Sequence, residues 1–309
     1  MITSLFKKST PINFAFVFLM LLFFFITTQF RQAGTVFTFE LLAKKTMLFI
    51  LIFACFFTSN FIIKKNGLSK DSAFTILFYL LLLLFFPSVM TNYKLFLANF
   101  FILLSLRRLF SLQSTKSQKE KIFDASLWVF VASLFHFWSI LFIILVFICI
   151  IFHTARDYRT WFLPFIALFI YGVLLYFFDL VFNADTLGKL VENSESNFEI
   201  NYFINNNQNL ALSIFATTSL FFITNLAFTI SNRPIILHAT YKKIIAAFIL
   251  GLLVFVFSPN KSNDVLLFTF VPLTFAMTIF VETPQSKAKT ELFFLAVVGC
   301  SLFSFFSQL

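Results

Sequence analysis

The stretch that decides the fold is "ASLWVFVASLFHFWSILFIILVFICIIF", residues 125–152, a largely apolar run with one histidine, His136, near its middle. As a single helix its 28 residues would extend about 42 Å, which exceeds the roughly 30 Å hydrocarbon core of a bilayer. Two standard spans would need about 40 residues. The run therefore predicts either one strongly tilted helix or a hairpin of two short helices, about 122–135 and 138–153.

The composition around this run is that of an integral membrane protein. Hydrophobic residues make up 60% of the 309 residues and charged residues only 12%, too little polar surface for a soluble domain of this length. The net charge of +10 comes from short basic clusters between apolar runs, the pattern of cytoplasmic loops rather than of a nucleic-acid-binding surface. We therefore predict an all-α, polytopic transmembrane helical bundle, with residues 1–309 as one integral membrane domain in contact with membrane lipids and no nucleic-acid partner.

Other candidate spans follow when the chain is divided into lengths of about 20 apolar residues. The first comes after Lys7 and Lys8 and has no small-residue cleavage site behind it, so it is interpreted as a retained span rather than a signal peptide. The candidate spans are about 12–30, 46–63, 72–90, 92–106, 161–182, 209–230, 244–259, 265–281 and 291–307.

Charge predicts the direction of each span, because loops rich in lysine and arginine stay in the cytoplasm. With a cytoplasmic N-terminus and a hairpin over 125–152, the inside loops hold 17 of the 23 lysine and arginine residues. The loop 184–208 then lies outside, where its carboxylates and asparagines predict a loosely packed extracytoplasmic segment. This arrangement gives about 11 spans in the bacterial inner membrane, whereas a single tilted helix over 125–152 would give 10.

The hairpin would place His136 at its tip, at the outer surface of the membrane. One interpretation is a solvated or locally hydrogen-bonded turn residue. The other is a site residue that faces an extracytoplasmic cavity, because polar groups at membrane depth normally face protein interiors or water-filled pockets. The sequence leaves both interpretations open.

Motifs for nucleotide and metal chemistry are absent from the sequence. It has no G-x-x-x-x-G-K-[ST] phosphate loop, no G-x-G-x-x-G and no H-E-x-x-H, and it contains only six glycines and three histidines. The cysteines Cys55, Cys149 and Cys300 lie far apart within apolar stretches, as packing residues do. We therefore predict no metal site and no cofactor.

The centre of the chain resembles one known family. The segments "LLSLRRLF" (103–110), "STKSQKEK" (114–121) and "LFHFWSILFIILVF" (134–147) are similar to the central portion of exopolysaccharide and O-antigen polymerases of the EpsG or Wzy type. The resemblance implies a protein that joins lipid-linked sugars at the outer face of the inner membrane, with a polyprenyl-linked glycan as substrate. The Arg-Gln pair that such proteins carry before this region has no arginine counterpart in "LANF" (97–100). The whole chain is also similar to a family of small, phenylalanine-rich, many-span bacterial proteins, and that resemblance implies no activity.

Polar residues predicted at the outer surface form a candidate glycan site. Sugar transfer from a polyprenyl diphosphate needs cations to hold the diphosphate and a base to take the acceptor's proton. Glu40 and His136 are the candidate catalytic bases, and the alternative for Glu40 is a place on an interfacial helix over "TVFTFELLAKK" (35–45). The candidate substrate-binding residues are Arg31, Lys261 and Asp264, and Asp179 belongs to the same outer set.

Two other functions remain open from the sequence. A non-catalytic accessory or scaffold subunit needs only membrane spans and surfaces for other inner-membrane proteins, and it needs no catalytic motif. A transporter would be expected to show charged residues deep in its spans or paired broken helices, and neither these nor an internal repeat is visible. Purification with a lipid-linked sugar, or in a stoichiometric protein complex, distinguishes the first two functions.

Overall fold

A computed structural model describes residues 2–31, 39–183, 185–196, 205–259, 261–283 and 286–308. Within these ranges the chain is all-helical and has no β-strand, so the predicted all-α class is confirmed. The helices are α1 (Ile2–Phe6), α2 (Pro11–Arg31), α3 (Phe39–Lys65), α4 (Phe74–Phe85), α5 (Tyr93–Phe110), α6 (Gln118–Ser133), α7 (Ile143–His153), α8 (Arg159–Phe182), α9 (Thr186–Glu192), α10 (Asn206–Thr229), α11 (Ile235–Phe257), α12 (Leu267–Glu282) and α13 (Lys287–Gln308).

Eight helical segments among the described residues are long and apolar enough to cross a membrane, as a multi-pass protein requires. Two shorter apolar segments, Phe74–Phe85 and Phe137–His153, accompany them. The helix α3 starts earlier than the sequence predicts, at Phe39 rather than near residue 46. Glu40 therefore lies in the first turn of a long apolar helix and not on a separate interfacial one.

The pair of helices α4 and α12 forms the core of the bundle. Every residue of α4 is buried, and so are nearly all residues of α12. A helix that is apolar on all sides is stable only when other elements enclose it. The two helices run antiparallel, because Ser69 before α4 donates to Glu282 at the end of α12 (2.7 Å), while Ser88 after α4 donates to Asp264 before α12.

The chain reverses between α6 and α7, as predicted. The helix α6 ends at Ser133, and a 3-10 turn, Phe137–Phe142, leads into α7. Lys119 Nζ at the start of α6 lies 3.0 Å from a carboxylate oxygen of Asp157 just after α7. The segments that flank the 125–152 run therefore meet. The predicted hairpin with His136 near its tip is confirmed, and residues 125–152 do not form a single tilted helix.

The segments that carry most of the basic residues meet at one end of the bundle, which we call the basic end. Lys64 Nζ lies 2.6 Å from the Asp71 carboxylate, and Ser9 N donates to Asp71 O (3.0 Å). On the other side of this end, Lys243 Nζ donates to Leu109 O (2.9 Å). These contacts bring the basic loops together at one end of the bundle. The described segments are 7–10, 64–73, 107–121, 153–160, 230–243, 282–283 and 286–291.

The opposite end is held mainly by amide side chains, and we call it the amide-rich end. Gln308 Nε2 donates to Phe85 O (2.8 Å), and Asn207 Nδ2 donates to Ser307 O (2.6 Å). These bonds join the C-terminal turn of α13 to the end of α4 and the start of α10. Amides suit this task because each offers two donors and an acceptor without carrying charge.

The predicted outer loop, 184–208, is structured where the structure describes it. The helix α9 occupies part of the loop, and Asn205 caps α10 by accepting a bond from Asn207 N (3.1 Å). Residues 205–208 thus belong to a packed helix start, which differs from the loose packing predicted for the whole loop. Residues 197–204 lie outside the described residues.

Candidate functional site

A small polar cavity opens at the amide-rich end. Its volume is about 180 Å³, and hydroxyl and amide side chains provide most of its lining. The local sequence explains its position, because Pro87 follows α4 and the chain continues there as a 3-10 turn, Pro87–Thr91, with Ser88 exposed. The lining residues are Pro87, Ser88, Asn205, Asn207, Gln208, Ser307 and Gln308.

A carboxylate lies directly behind the wall of this cavity. Ser88 Oγ donates a hydrogen bond to Asp264, which belongs to the 3-10 turn that leads into α12. The neighbouring Asn263 is buried and donates through Nδ2 to Gln208 O (3.1 Å). Hydroxyls, amides and a carboxylate are the groups that exchange hydrogen bonds with sugar hydroxyls. The cavity is smaller than the roughly 300–1,000 Å³ typical for drug-sized ligands, so it fits a small unit such as one sugar ring.

An apolar groove lies between α2 and α3. It consists of two cavities of about 490 and 360 Å³, one towards each end of the helix pair. The ring of Phe18 contacts the rings of Phe49 (5.7 Å) and Phe53 (5.1 Å), so aromatic side chains bridge the two helices between the cavities. The lining residues of α2 fall on one broad side of the helix and extend over about 22 Å at 1.5 Å per residue. They are Phe14, Ala15, Val17, Phe18, Leu21, Leu22, Phe25, Ile26 and Gln29.

The groove carries a cation at the amide-rich end. Of its lining residues in the described part of the chain, Lys45 alone is charged. Lys45 Nζ lies 3.5 Å from Gln29 O, and Gln29 Nε2 donates to Met90 O (3.1 Å). Met90 belongs to the same Pro87–Thr91 turn that supplies Ser88 to the polar cavity. This turn therefore joins the cationic end of the groove to the cavity.

The hairpin tip places two unsatisfied polar atoms near the start of α12. His136 Nε2 and Ser139 Oγ are buried and have no hydrogen-bond partner among the described residues. The His136 ring lies 5.5 Å from the ring of Phe268 in the first turn of α12. Burial lowers the pKa of His136 to about 4, so its imidazole is neutral at pH 7. Because buried polar groups are normally satisfied, the tip has capacity to bind a water molecule or a ligand hydroxyl.

The structure separates the two predicted catalytic residues. Glu40 is exposed and pairs with Lys44, four residues along the same helix (2.6 Å). Neither the polar cavity nor the two cavities of the groove are lined by Glu40 or His136. His136 and Asp264 instead both lie by the start of α12. The catalytic roles of Glu40 and His136 stay predictions.

The other predicted site residues have different surroundings. Arg31 is the last residue of α2, and its side chain lies outside the described residues. Lys261 is half-buried just before the turn that carries Asp264. Asp179 accepts bonds from Thr186 N (2.9 Å) and Leu187 N (3.1 Å), so it stabilises the start of α9. Its role in the structure is that of a cap.

Sequence reasoning missed the residues that build the cavity and the end of the groove. Ser88, Gln29 and Lys45 were not among the predicted site residues. A signal was present in "PSVMTN" (87–92), a proline and polar residues directly after the apolar helix α4, where no long loop follows to explain them. The amides of 205–208 were assigned to a loose loop because they follow an acidic segment.

Comparisons with known proteins do not assign this chain to a family. No protein-family model matches it, and no curated protein and no solved structure matches it. Within the described ranges, no group of three or more histidine, cysteine, aspartate or glutamate side chains could hold a metal ion.

Proposed function

We propose that this chain is a multi-pass protein of the bacterial inner membrane that binds a lipid-linked glycan at its amide-rich end. One observation supports this most directly: the Pro87–Thr91 turn joins a polar cavity to the cationic end of an apolar groove. A polyprenyl-linked glycan has three corresponding parts, which are a sugar, a phosphate and a hydrocarbon chain. The resemblance of the central segments to lipid-linked sugar polymerases points to the same class of ligand.

Each part of this ligand has a matching group on the protein. Sugar hydroxyls exchange hydrogen bonds with the cavity amides and with Ser88, whose own hydroxyl donates to the Asp264 carboxylate behind the wall. Lys45 holds a phosphate oxygen through a charge-assisted bond. The groove between α2 and α3 accepts the hydrocarbon chain, so that the chain stays at membrane depth while its head is bound outside.

The proposal is primarily one of ligand binding. It also changes which residue is the candidate general base. A general base must come within hydrogen-bond reach of the acceptor hydroxyl. Asp264 is bonded to a residue of the cavity wall, whereas Glu40 is held by Lys44 in solvent. We therefore assign contact with a sugar hydroxyl to Ser88, and Asp264, acting through the Ser88 hydroxyl, replaces Glu40 as the candidate base.

The proposal also specifies which end of the bundle faces the cytoplasm. Basic loops stay in the cytoplasm, so the basic end is cytoplasmic and the amide-rich end faces outwards. Every helix from α2 to α13 except α9 then connects the two ends, which gives eleven crossings. The N-terminus lies in the cytoplasm and the C-terminus outside.

One surface favours a second function, that of an accessory subunit in a membrane complex. The helix α8 packs against α6 and α7 and exposes large apolar side chains along the rest of its length. Lipid covers such a surface in a protein that acts alone, and a partner helix covers it in a complex. The residues include Phe162, Phe165, Phe169, Leu174, Phe177 and Val181.

The glycan proposal is tested by the lipid that the purified protein retains. In mild detergent, the wild-type protein is expected to keep a polyprenyl-linked saccharide that native mass spectrometry detects. Asp264→Asn should reduce the retained amount about tenfold, because a charged acceptor next to the sugar is lost. Glu40→Gln serves as the matched control and should retain the wild-type amount. Wild-type protein that holds no polyprenyl lipid, and purifies only with stoichiometric protein partners, would replace this proposal with the accessory function.

A further inference from the structure

A second polar cavity lies at the basic end, at the opposite end of the bundle from the proposed glycan site. It has a volume of about 690 Å³ and opens between the start of α6 and the segment that joins α7 to α8. Both polar and apolar residues line it. They include Lys119, Glu120, Ile151, Phe152, Arg156 and Asp157.

Two of the four charged residues in this cavity neutralise each other. The Lys119 ammonium lies 3.0 Å from the Asp157 carboxylate, and this hydrogen bond holds the pKa of Asp157 below its ordinary value. Asp157 also accepts a bond from Arg159 N (3.1 Å). The pair closes the base of the hairpin, so its charges serve the structure and are not available to a ligand.

The other two charges, Arg156 and Glu120, line the cavity and have no ion pair within the part of the chain that is described. Both side chains are exposed. The cavity therefore offers one cation and one anion to a bound molecule. A ligand that satisfies both must carry a negative and a positive group.

The wall of the cavity also has an apolar part at the membrane surface. Ile151 and Phe152 are 53% and 39% exposed at the end of α7, where an acyl chain would contact them in a membrane. Lys242 Nζ lies 5.9 Å from the Phe152 ring, so a further cation borders this wall. The charged residues and the apolar part of the cavity wall together fit an amphiphile whose head lies at the membrane surface.

We propose that this cavity binds the head of a zwitterionic phospholipid with a primary ammonium group, phosphatidylethanolamine. The planar guanidinium of Arg156 binds the phosphate, and Glu120 accepts hydrogen bonds from the ammonium. One acyl chain lies along Ile151 and Phe152. Phosphatidylcholine has no N–H to donate to Glu120, and phosphatidylglycerol brings a phosphate without the matching cation. The inference does not rest on the proposed glycan function.

The test is a lipid titration followed by native mass spectrometry of the full chain in detergent. Phosphatidylethanolamine, phosphatidylcholine and phosphatidylglycerol with identical acyl chains are compared. The wild-type protein should bind phosphatidylethanolamine about fivefold more tightly than phosphatidylcholine, the lower range for a charge-assisted hydrogen bond at a site open to solvent. Equal binding of these two lipids, or tighter binding of phosphatidylglycerol, would overturn the proposal.

Two variants test separately the binding of the ammonium group and the binding of the phosphate. Glu120→Gln should abolish the preference for phosphatidylethanolamine and strengthen phosphatidylglycerol binding, because the carboxylate that repels an anionic lipid is gone. Arg156→Gln should weaken all three lipids, since each has a phosphate. Lys116→Gln is the matched control, because Lys116 is exposed in the same loop and does not line the cavity. If Lys116→Gln shifts phosphatidylglycerol binding as strongly as Glu120→Gln does but in the opposite direction, the effect is general surface charge and the assigned site is wrong.

Discussion

The two ends of the bundle are held together by different chemistry. At the basic end, ion pairs connect the helix ends and loops: Lys64 with Asp71, Arg108 with Asp124 and Lys119 with Asp157. At the amide-rich end, uncharged side chains donate to backbone carbonyls: Gln29 to Met90, Asn207 to Ser307, Asn263 to Gln208 and Gln308 to Phe85. Apart from the surface pair of Glu40 and Lys44, the described part of that end has no ion pair.

The two ends therefore differ both in how they are stabilised and in the ligands that suit them. In the orientation proposed above, the cations at one end face the cytoplasm and attract lipid phosphates. Amides at the other end join helices without charge, so a neutral polyol can approach without displacing a counter-ion. An exposed ion pair is screened by salt, whereas an amide-to-carbonyl hydrogen bond is not.

The largest expected effect concerns a buried charge at the basic end. Lys243 is fully buried, and its ammonium donates to Leu109 O at the last turn of α5 (2.9 Å). In Lys243→Glu, a carboxylate would face that carbonyl and the negative end of the helix dipole, at a cost of about 3–5 kcal/mol. The midpoint of thermal unfolding in detergent should fall sharply, or the protein should not accumulate at all. Lys242→Glu changes the adjacent, exposed residue and should unfold near the wild-type temperature. Similar losses in both variants would show that surface charge, not the buried contact, stabilises this end.

A smaller effect is expected where α11 crosses α12 below the amide-rich end. A side chain on Gly251 would place its Cβ 2.8 Å from Thr269 Cγ2 and 3.0 Å from the Phe268 carbonyl oxygen. Gly251→Leu should therefore destabilise the fold by about 1–3 kcal/mol through overpacking. Because Phe268 lies just after the turn that carries Asp264, the retained glycan should fall as well. Gly172→Leu on α8 is the control, since no atom lies within 4 Å of its added Cβ. Wild-type stability in Gly251→Leu would mean that α11 and α12 are not packed as tightly as described.

The sequence predicts the helices and the hairpin for a physical reason. Apolar runs of about 20 residues have few alternatives to a membrane helix, because every backbone polar group must be satisfied within the segment. The hairpin over 125–152 follows from the loops on either side of it, since both are basic and belong on the same face. Lys119 and Asp157 indeed meet. Local composition was sufficient to predict the helices and the hairpin.

The candidate site could be predicted only in part, because it depends on contacts between distant residues. Ser88 and Asp264 are separated by 176 positions, and Asn207 and Ser307 by 100, so no local pattern in one sequence brings them together. Asp264 was singled out because it is a carboxylate in a short outer loop. Glu40 was singled out for the same reason, although Lys44 four residues later already indicated a surface pair on one helix.

The smallest expected effect is the response of the two ends to salt. Raising the ionic strength from about 0.01 M to 1 M shortens the Debye length from about 30 Å to 3 Å, which weakens exposed pairs such as Lys119 with Asp157. Hydrogen exchange at 118–121 and 154–160 should then increase about twofold, the modest size expected for an exposed ion pair, while exchange at 205–209 and 304–308 stays constant. Acidification should act in the same direction at the basic end. Asp157 has a depressed pKa, so the pair contributes above the ordinary pKa of 3.8 and is lost as the pH falls through the lower, folded-state value. In Lys119→Gln the salt response of 118–121 should disappear. An equal salt response at both ends would show that the ion pairs do not distinguish them.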